Sequence, residues 1–310
     1  MDVSFVIPLL NEEESLPELH DWIVSVVEAQ GYTYEIIFID DGSTDKSWSV
    51  ITELKKKNPH VIGIKFRRNY GKSAGLNVGF ASARGQIIIT MDADLQDSPE
   101  EVPALIQMIK DEGYHIVSGW KKKRYDPISK TIPTKLYNFV TSRMSGVYLH
   151  DMNCGLKAYQ SDVVKNIEVY GEMHRYIPVI AKWVGFNNIG EKVVKHQARK
   201  YGSSKFGLSR FIYGPLDLAT IMFMGKFGKR PMHFFGVIGT IIFMVGALIL
   251  LYLSIDKVMN QTFGIANRPA FYLGILMAII GIQLFIAGFL GELISRNATE
   301  RNLYTIEDQI

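Results

Sequence analysis

The chain has 310 residues, 47% of them hydrophobic, a net charge of +3 and one cysteine, Cys154. A single cysteine excludes an intramolecular disulfide and favours a reduced thiol in the cytoplasm. So small a net charge identifies no partner by itself, and we expect the protein not to bind nucleic acid. The length corresponds to roughly two domains. The N-terminal MDVSFVIPLL lacks a basic region before its short apolar run, so we interpret it as a buried strand and not as a signal peptide.

Four apolar runs rich in Val and Ile predict strands, and helical patterns separate them. In chain order the strands are DVSFVIPLL, YEIIFIDD, HVIGIKF and GQIIITMDAD, and the helices are EEESLPELHDWIVSVVEAQ, KSWSVITELKKK and KSAGLNVGFASA. The alternation predicts an α/β domain with a mostly parallel sheet. Continuous apolar runs are typical of strands that are buried on both faces.

A polar motif follows each predicted strand: NEEES, DDGSTD, RRNYGKSAG and DADLQD. Because ligands of such sheets bind beyond the carboxyl ends of the strands, we expect these four loops to form one site. The GKS of the third loop is not the end of a Walker P-loop, since Phe66 stands where that pattern needs its first glycine. The small residues around it instead predict a helix packed closely on the sheet, with its N-terminus facing the ligand.

The motif DADLQD places three carboxylates, Asp92, Asp94 and Asp97, at the end of a strand. In an extended chain Asp92 and Asp94 point to the same side, and their repulsion favours a cation between them. Mg²⁺ or Mn²⁺, completed by substrate phosphates and water, suits such a site. The alternative is a solvated acidic turn in which Asp97 and Ser98 cap the next helix. For Asp97 both interpretations remain open.

Residues 233–255 and 271–294 are apolar and long enough to cross a bilayer. Basic residues lie outside both segments: Lys226, Lys229, Arg230, Arg296 and Arg301. The positive-inside rule therefore predicts a helical hairpin with the soluble domain and both termini in the cytoplasm. The preceding GLSRFIYGPLDLATIMFMGKFGKRP has the composition of helices that lie on a membrane surface. We predict a soluble domain over 1–205, interfacial helices over 206–231 and a membrane anchor over 232–310.

Six motifs run in order through nearly the whole chain: VIPLLNEEES, IDDGSTD, RNYGKSAGLNVGFASARG, MDADLQD, DMNCGLKAY and ARKYGSSKF. With the two apolar spans, they resemble the family 2 glycosyltransferases of the Rossmann-like GT-A fold. Within that family they are similar to dolichol-phosphate mannose synthase and to bacterial undecaprenyl-phosphate glucosyltransferases. The resemblance implies a nucleotide-sugar donor, a divalent metal, a polyprenyl-phosphate acceptor and inversion at the anomeric carbon.

The resemblance also implies roles for residues in the matched motifs. Those expected to bind the nucleotide sugar are Pro8, Glu12, Asp40, Asp41, Lys72 and Asp92, and those expected to hold the metal are Asp92, Asp94 and Gln96. The metal would act as a Lewis acid on the leaving diphosphate. For Asp40 and Asp41, a common Asp-Gly turn is the alternative.

Asp151 in DMNCGLK matches an acidic residue of the family, and we expect it to position substrate; a buried helix or turn cap is the alternative. The expected catalytic set is Asp94, Asp151, Arg199 and Lys205. A lipid phosphate is mostly dianionic at neutral pH, so it needs no strong general base. Cys154 is not expected to act as a nucleophile.

Basic side chains mark the acceptor end of the expected site. Those expected to bind the acceptor phosphate or the donor diphosphate are Arg124, Arg143, Arg199 and Lys205, because guanidinium groups match phosphate oxygens. Lys121 and Lys122 are expected to meet anionic lipid headgroups instead.

We therefore expect one hexose-type sugar to pass from UDP to undecaprenyl phosphate at the bacterial inner membrane. The alternatives are a processive polysaccharide synthase and a membrane protein that binds nucleotide sugar without catalysis. Processive synthases resemble QxxRW carriers, whereas QARKY here is out of register and lacks Trp. Six glycines form small-residue faces on the spans that could also join copies of the chain: Gly236, Gly239, Gly246, Gly274, Gly281 and Gly288.

Overall fold

The computed structural model describes residues 1–122, 138–201, 219–220, 223, 227, 231–260, 264–297 and 306–309. The chain forms two compact units, the first comprising Met1–Ile221 with Asn302–Ile310 and the second comprising Met222–Arg301. The four polar loop motifs therefore belong to the first unit, and the two apolar spans belong to the second.

One sheet organises the first unit. Its strands are β1 (Val3–Leu9), β2 (Tyr34–Asp40), β3 (Val61–Phe66), β4 (Ile87–Thr90), β5 (Ile116–Trp120), β6 (Lys157–Gln160), β7 (Ile189–Val193) and β8 (Ile306–Gln309). Their order across the sheet is β7-β5-β6-β4-β1-β2-β3-β8. Strand β1 pairs in parallel with β2 and β4, and β2 pairs in parallel with β3. The predicted α/β architecture with a mostly parallel sheet is confirmed.

Strand β6 runs antiparallel to both of its neighbours, β4 and β5. The strands β4 and β5 therefore point in the same direction, although they are not adjacent. Their carboxyl ends lie at the same edge of the sheet as those of β1, β2 and β3. The residues that follow β5 are thus brought toward the motif DADLQD that follows β4.

Helices cover the sheet: α1 (Leu16–Ala29), α2 (Ser47–Lys57), α3 (Lys72–Ser82), α4 (Val102–Glu112), α5 (Ser161–Lys165) and α6 (Ile177–Trp183). Helix α3 packs closely on the strands. A Cβ at Gly75 would lie 2.9 Å from the Cβ of Pro8, and one at Gly79 would collide with Val6. The close packing predicted from the small residues of this helix is confirmed, and it brings the N-terminus of α3 to the carboxyl end of β1.

The last described strand, β8, completes the sheet beyond β3. It pairs antiparallel with β3, with Ile64 opposite Gln309 and Lys65 opposite Asp308. An uncovered edge strand would expose unpaired backbone groups to other chains, and β8 covers this edge. The sequence boundaries assigned residues 232–310 to the membrane anchor, whereas the segment Asn302–Ile310 lies in the first unit. The remaining domain boundaries stay a prediction.

Two long helices form the second unit, α7 (Pro231–Asn260) and α8 (Pro269–Asn297). Both are long and apolar enough to span a membrane, with candidate spans at Pro231–Asn260 and Pro269–Ile294. These include the two segments predicted from the sequence. Arg268, in the connection between the helices, has its Nη1 2.7 Å from Oδ2 of Asp256 in α7, so two of the few charges near the spans neutralise each other.

Glycines bring α7 and α8 into close contact. A Cβ at Gly239 would lie 2.6 Å from the carbonyl oxygen of Gly281, and a Cβ at Gly246 would lie 2.8 Å from that of Gly274. Such small residues allow the backbones of two helices to approach each other in a membrane. The glycine faces seen in the sequence thus pack against each other within one chain, and association between chains stays a prediction.

Candidate active site

The loops after β1 and β2 are joined by hydrogen bonds. Leu9 is opposite Asp40 in the parallel register, so both strands end together. The Asn11 backbone N–H donates to Ser43 Oγ at 2.9 Å, and the Thr44 N–H donates to Asn11 Oδ1 at 2.8 Å. Asn11 has a φ of 56°, a conformation that asparagine tolerates better than most residues. The motifs NEEES and DDGSTD therefore form one continuous rim.

Asp41 connects this rim to the third loop. Its carboxylate accepts hydrogen bonds from the backbone N–H groups of Tyr70 at 2.7 Å and Gly71 at 2.9 Å. Burial raises the pKa of Asp41, although these two hydrogen bonds oppose the shift. Asp40 is fully buried, and its Oδ1 accepts the Ser43 N–H at 2.8 Å. Both side chains hold loops in place, and nucleotide binding by them stays a prediction.

Asp92 and Asp94 each have a cationic partner. Lys72, the first residue of α3, donates from Nζ to Asp92 Oδ1. Arg199 Nη2 donates to Asp94 Oδ2 at 3.0 Å and also lies 3.5 Å from Glu12 Oε1. The site therefore gathers residues from the loops after β1 and β4, from α3 and from the segment after β7.

The pKa values of the two carboxyl groups shift in opposite directions. Burial opposes ionisation of Asp92, but the charges of Lys72 and Lys121 outweigh it and lower the Asp92 pKa well below its ordinary value. Burial and the negative charge of Asp92 raise the pKa of Asp94, and Arg199 offsets this only in part. Such a divergence is expected of two acids that share one site.

The partner of Asp97 is a lysine, which excludes one of its two interpretations, the solvated cap, whereas a role in the metal site stays a prediction. Lys121 Nζ lies 2.6 Å from Asp97 Oδ1, and their side chains are 13% and 0% exposed. Asp97 is therefore not a solvated cap, and Ser98 makes no side-chain capping bond to the next helix. The expectation that Lys121 meets lipid headgroups is likewise wrong. The direction of β5 carries Lys121 into the acidic site, where the charge of Asp97 raises its pKa despite burial.

The turn within DADLQD has an unusual backbone. Leu95 has a φ of 60°, a conformation that costs a branched side chain free energy and is often found at functional sites. After this turn, the Gln197 N–H donates to the carbonyl oxygen of Gln96 at 2.9 Å, and Asp97 pairs antiparallel with His196. This pairing places Arg199 beside Asp94. The Gln96 side chain donates to the Gln197 carbonyl at 3.4 Å, and its role as a metal ligand stays a prediction.

The motif DMNCGLK forms the wall behind Asp92. A Cβ at Gly155 would lie 2.6 Å from Asp92 Oδ2, so only glycine leaves room for the carboxylate there. Buried Lys157 donates from Nζ to the carbonyl oxygens of Met152, at 3.2 Å, and Cys154, which holds the loop in a closed shape. Burial raises the pKa of Cys154 to about 12, so its thiol stays protonated, in agreement with the expectation that it is not a nucleophile.

The same loop carries Asp151, which is 1% exposed. Its backbone N–H donates to Glu191 Oε1 at 3.0 Å, and its Oδ1 accepts the Asn153 N–H at 3.2 Å. The contact to Asn153 agrees with the alternative of a turn cap, and a role toward substrate stays a prediction.

Two of the predicted phosphate-binding residues, Arg124 and Lys205, lie outside the described residues. Arg143 is exposed on a helical stretch over 138–145. Pro8 and Glu12 are both partly exposed on the rim, which fits their predicted contact with the donor nucleotide.

One site neighbour was missed from the sequence, His174. Its backbone N–H donates to Ser73 Oγ at 3.0 Å, and its Nδ1 lies 3.0 Å from the same oxygen, next to Lys72. Burial and the charge of Lys72 lower the pKa of His174 well below its ordinary value. The only signal in the sequence is a histidine beside an arginine within the otherwise apolar stretch MHRYIPVI.

Comparisons with known proteins agree with this architecture. Residues 4–168 match the model of glycosyl transferase family 2. The chain is 35% identical to a dodecaprenyl-phosphate galacturonate synthase of Rhizobium johnstonii, over 96% of this chain and 88% of that protein. It is 36% identical to an undecaprenyl-phosphate 4-deoxy-4-formamido-L-arabinose transferase of Shewanella sediminis, over 99% and 92%.

Solved structures share the fold at low sequence identity. Glucosyl-3-phosphoglycerate synthase of Mycobacterium tuberculosis, with Mn²⁺ and UDP-glucose, has a TM-score of 0.55 at 20% identity over 72% of this chain and 78% of that one. Mannosyl-3-phosphoglycerate synthase of Rubrobacter xylanophilus has a TM-score of 0.56 at 16% identity, over 73% and 75%. The protein is thus a glycosyltransferase with a GT-A-like α/β fold. The chain belongs to glycosyltransferase family 2.

Proposed function

We propose that the protein transfers a single sugar from a nucleotide diphosphate to a polyprenyl phosphate, with inversion, at the surface of a membrane. The observation that carries the proposal is the set of paired charges at the sheet edge, where Asp92 and Asp94 meet Lys72 and Arg199. A metal-bridged diphosphate needs carboxylates for the metal and cations for its remaining oxygens. The names of both relatives specify a polyprenyl phosphate, which supports the acceptor.

The two carboxylates fit a divalent ion. They stand two residues apart at a strand end, and no group of three or more metal-binding side chains occurs among the described residues. Two protein carboxylates completed by substrate oxygens and water is the arrangement that Mg²⁺ prefers, and a solved structure of the same fold holds Mn²⁺ with UDP-glucose. Asp92, Asp94 and Gln96 would hold the ion, which supplies Lewis acidity to the leaving diphosphate.

Lys72 and Arg199 neutralise the two carboxylates when no other cation does. If Asp92 and Asp94 held a metal ion, the same two side chains would be available to pair with diphosphate oxygens. Lys72 begins α3, so the N–H groups of a helix N-terminus also face this region and favour an anion. The side chains that stabilise the site without substrate would thus become donors to the leaving group.

The acceptor end requires orientation rather than proton abstraction, because a lipid phosphate is already mostly ionised. Asp151 lies in the loop that forms the wall of the Asp92 site, where it would position the acceptor. Arg143, with Arg124 and Lys205 outside the described residues, would supply charge for the acceptor phosphate. Charge-assisted bonds of this kind are worth roughly 1.5–3 kcal/mol each.

The path of the chain supports a hairpin topology. Strands β1 to β7 precede the two candidate spans and β8 follows them, yet β8 pairs with β3 in the same sheet. This pairing supports a placement of the segments before and after the spans on the same side of a membrane. The basic residues flanking the spans favour the cytoplasmic side, and we propose an inner-membrane protein with its catalytic unit and both termini in the cytoplasm.

The test is a transfer assay with the full-length protein in detergent. Undecaprenyl phosphate is supplied with a panel of UDP-sugars that includes hexoses, hexuronates and amino sugars, since the two relatives of similar identity are named for different sugars. Mass spectrometry identifies the lipid product, and NMR gives its anomeric configuration. One sugar per lipid, inverted, with Mg²⁺ or Mn²⁺ required, is expected. Oligosaccharide products would indicate a processive synthase, and nucleotide-sugar binding without any product would indicate a binding protein.

A further inference from the structure

The most exposed large hydrophobic side chains in the described part of the first unit lie close together in sequence. Phe139 is 69% exposed, Met144 is 51% exposed and Tyr148 is 75% exposed. Three such side chains within ten residues are not explained by packing inside the sheet domain. An exposed apolar cluster of this kind marks an interaction surface.

Aromatic contacts extend this cluster to the end of β5. The rings of Trp120 and His150 stack with their centroids 4.0 Å apart, and the exposed Lys122 has its Nζ 5.7 Å from the Trp120 ring centroid. The Asn138 side chain donates to the His150 carbonyl at 2.7 Å, which ties the start of the 138–145 helix to this stack. We call the resulting surface the aromatic–basic patch; it consists of Trp120, Lys122, Phe139, Arg143, Met144, Tyr148 and His150.

The patch borders the active site. Lys121 lies between two of its residues, Trp120 and Lys122, but its own side chain is turned inward to Asp97. At the end of β5, Lys121 thus faces the acidic site, whereas its neighbours Trp120 and Lys122 belong to the exposed patch. A surface in contact with the patch is also next to the site.

We propose that the aromatic–basic patch docks the catalytic unit onto the headgroup region of an anionic bilayer. Amphipathic aromatic rings such as those of Trp120 and Tyr148 prefer the interface between membrane and water. Phe139 and Met144 supply apolar surface for the acyl boundary, and Arg143 and Lys122 match anionic headgroups. This docking goes beyond the transfer reaction, and it does not depend on which sugar is transferred.

The chemistry of the patch favours a lipid surface over another protein. Its two exposed cations, Lys122 and Arg143, flank aromatic and apolar side chains. The Glu191 carboxylate contacts the patch through His150 Nδ1 at 2.7 Å, but the Glu191 side chain is only 11% exposed. A membrane with negative headgroups complements both properties at once. Since the same chain carries two candidate membrane spans, such a surface would always be available to the first unit.

Site-directed spin labelling of the full-length protein tests the proposal. Phe139→Cys and Tyr148→Cys are labelled with a nitroxide and reconstituted into nanodiscs that contain phosphatidylglycerol. Cys154 is 2% exposed, so the unsubstituted protein reports background labelling. The matched control is Lys56→Cys, an exposed position on α2. Helix α2 packs near β3, which lies toward the other end of the strand order from β5. Collision rates with oxygen and with a water-soluble nickel chelate are measured for each label.

Labels at 139 and 148 are expected to show a higher ratio of oxygen to nickel collisions than the label at 56. Replacing phosphatidylglycerol with phosphatidylcholine should lower that ratio. Equal ratios at all three positions would overturn the proposal. So would dipolar coupling between labels on separate copies of the chain, which would assign the patch to self-association. Protection from both reagents would also overturn it, since another segment of the chain would then cover the patch. None of these outcomes requires turnover, so a failure of the docking proposal can be distinguished from a failure of the proposed transfer reaction.

Discussion

Replacing Lys72 with methionine is expected to strengthen Mn²⁺ binding in the absence of nucleotide and to weaken the binding of the donor nucleotide. In the structure Lys72 pairs with the Asp92 carboxylate, so a metal ion that binds this carboxylate competes with the ammonium group. Methionine has a similar length and removes only the charge and its hydrogen bond. Both effects have one cause. The Lys72 side chain pairs with the Asp92 carboxylate when no nucleotide is bound, and it would pair with the donor diphosphate when the nucleotide is bound.

The magnitude follows from the exposure of the pair. The Lys72 and Asp92 side chains are 34% and 35% exposed, so solvent screens the pair more than a buried one but less than a surface one. Hydrogen bonds to charged groups contribute roughly 1.5–3 kcal/mol and exposed pairs up to about 1 kcal/mol. An intermediate value of about 1–2 kcal/mol corresponds to Mn²⁺ binding that is about 5- to 30-fold tighter in the variant.

The assay has two parts, both with the full-length protein in detergent. Electron paramagnetic resonance of free Mn²⁺ gives the metal affinity, and calorimetry with UDP at saturating Mn²⁺ gives the nucleotide affinity. Loss of one charge-assisted bond should weaken UDP binding by a factor of about 10 or more. Lys56→Met on the exposed face of α2 is the control and should change neither value. Weaker Mn²⁺ binding by the Lys72 variant without nucleotide would refute the exchange.

Three further substitutions have defined outcomes. Asp94→Asn should nearly abolish transfer while leaving the thermal unfolding temperature close to that of the parent protein, and wild-type turnover at saturating Mn²⁺ would contradict the metal assignment. Lys121→Ala should lower the free energy of unfolding by about 3 kcal/mol, measured in denaturant, because it leaves the Asp97 charge buried without its partner; a change below about 0.5 kcal/mol, the usual size for a surface substitution, would show that the pair is not buried in solution. Gly155→Ala should weaken Mn²⁺ binding, since its Cβ would displace the Asp92 carboxylate, and an unchanged affinity in the resonance titration would argue against Asp92 as a ligand.

Local pattern was enough to predict the elements of the sheet domain. The strands β1 to β4 are mostly continuous apolar runs, and a polar motif lies at or just after the end of each strand. The parallel arrangement then follows from the alternation with helices, because a helical crossover returns the chain in the same direction. For this reason Asp92, Asp94 and Lys72 could be assigned to one sheet edge before the structure was considered.

The partners of these residues could not be predicted in the same way. Lys121 stands in a run of lysines and looks like any surface cation until β6 is inserted antiparallel between β4 and β5 and turns the end of β5 toward Asp97. Arg199 and Glu12 are 187 residues apart in the chain. The short bridge between Asp97 and His196 helps to bring them together. Sequence periodicity does not predict such contacts, because they form only when the order of the strands in the sheet is set.

The C-terminal strand and the glycine faces also separate what the sequence predicted from what only the structure revealed. The sequence IEDQ has no apolar alternation that would mark β8 as a strand, and it becomes one only because β3 offers an unpaired edge. The glycines of the spans were visible in the sequence, but their partners were not, and the structure pairs them within one hairpin. The sequence alone determined which segments form the buried strands, where the polar motifs follow them and which helices are apolar enough for a membrane, because burial and hydrogen bonding impose local periods. Tertiary structure alone decided which cation neutralises which carboxylate, because that depends on contacts between residues far apart in the chain.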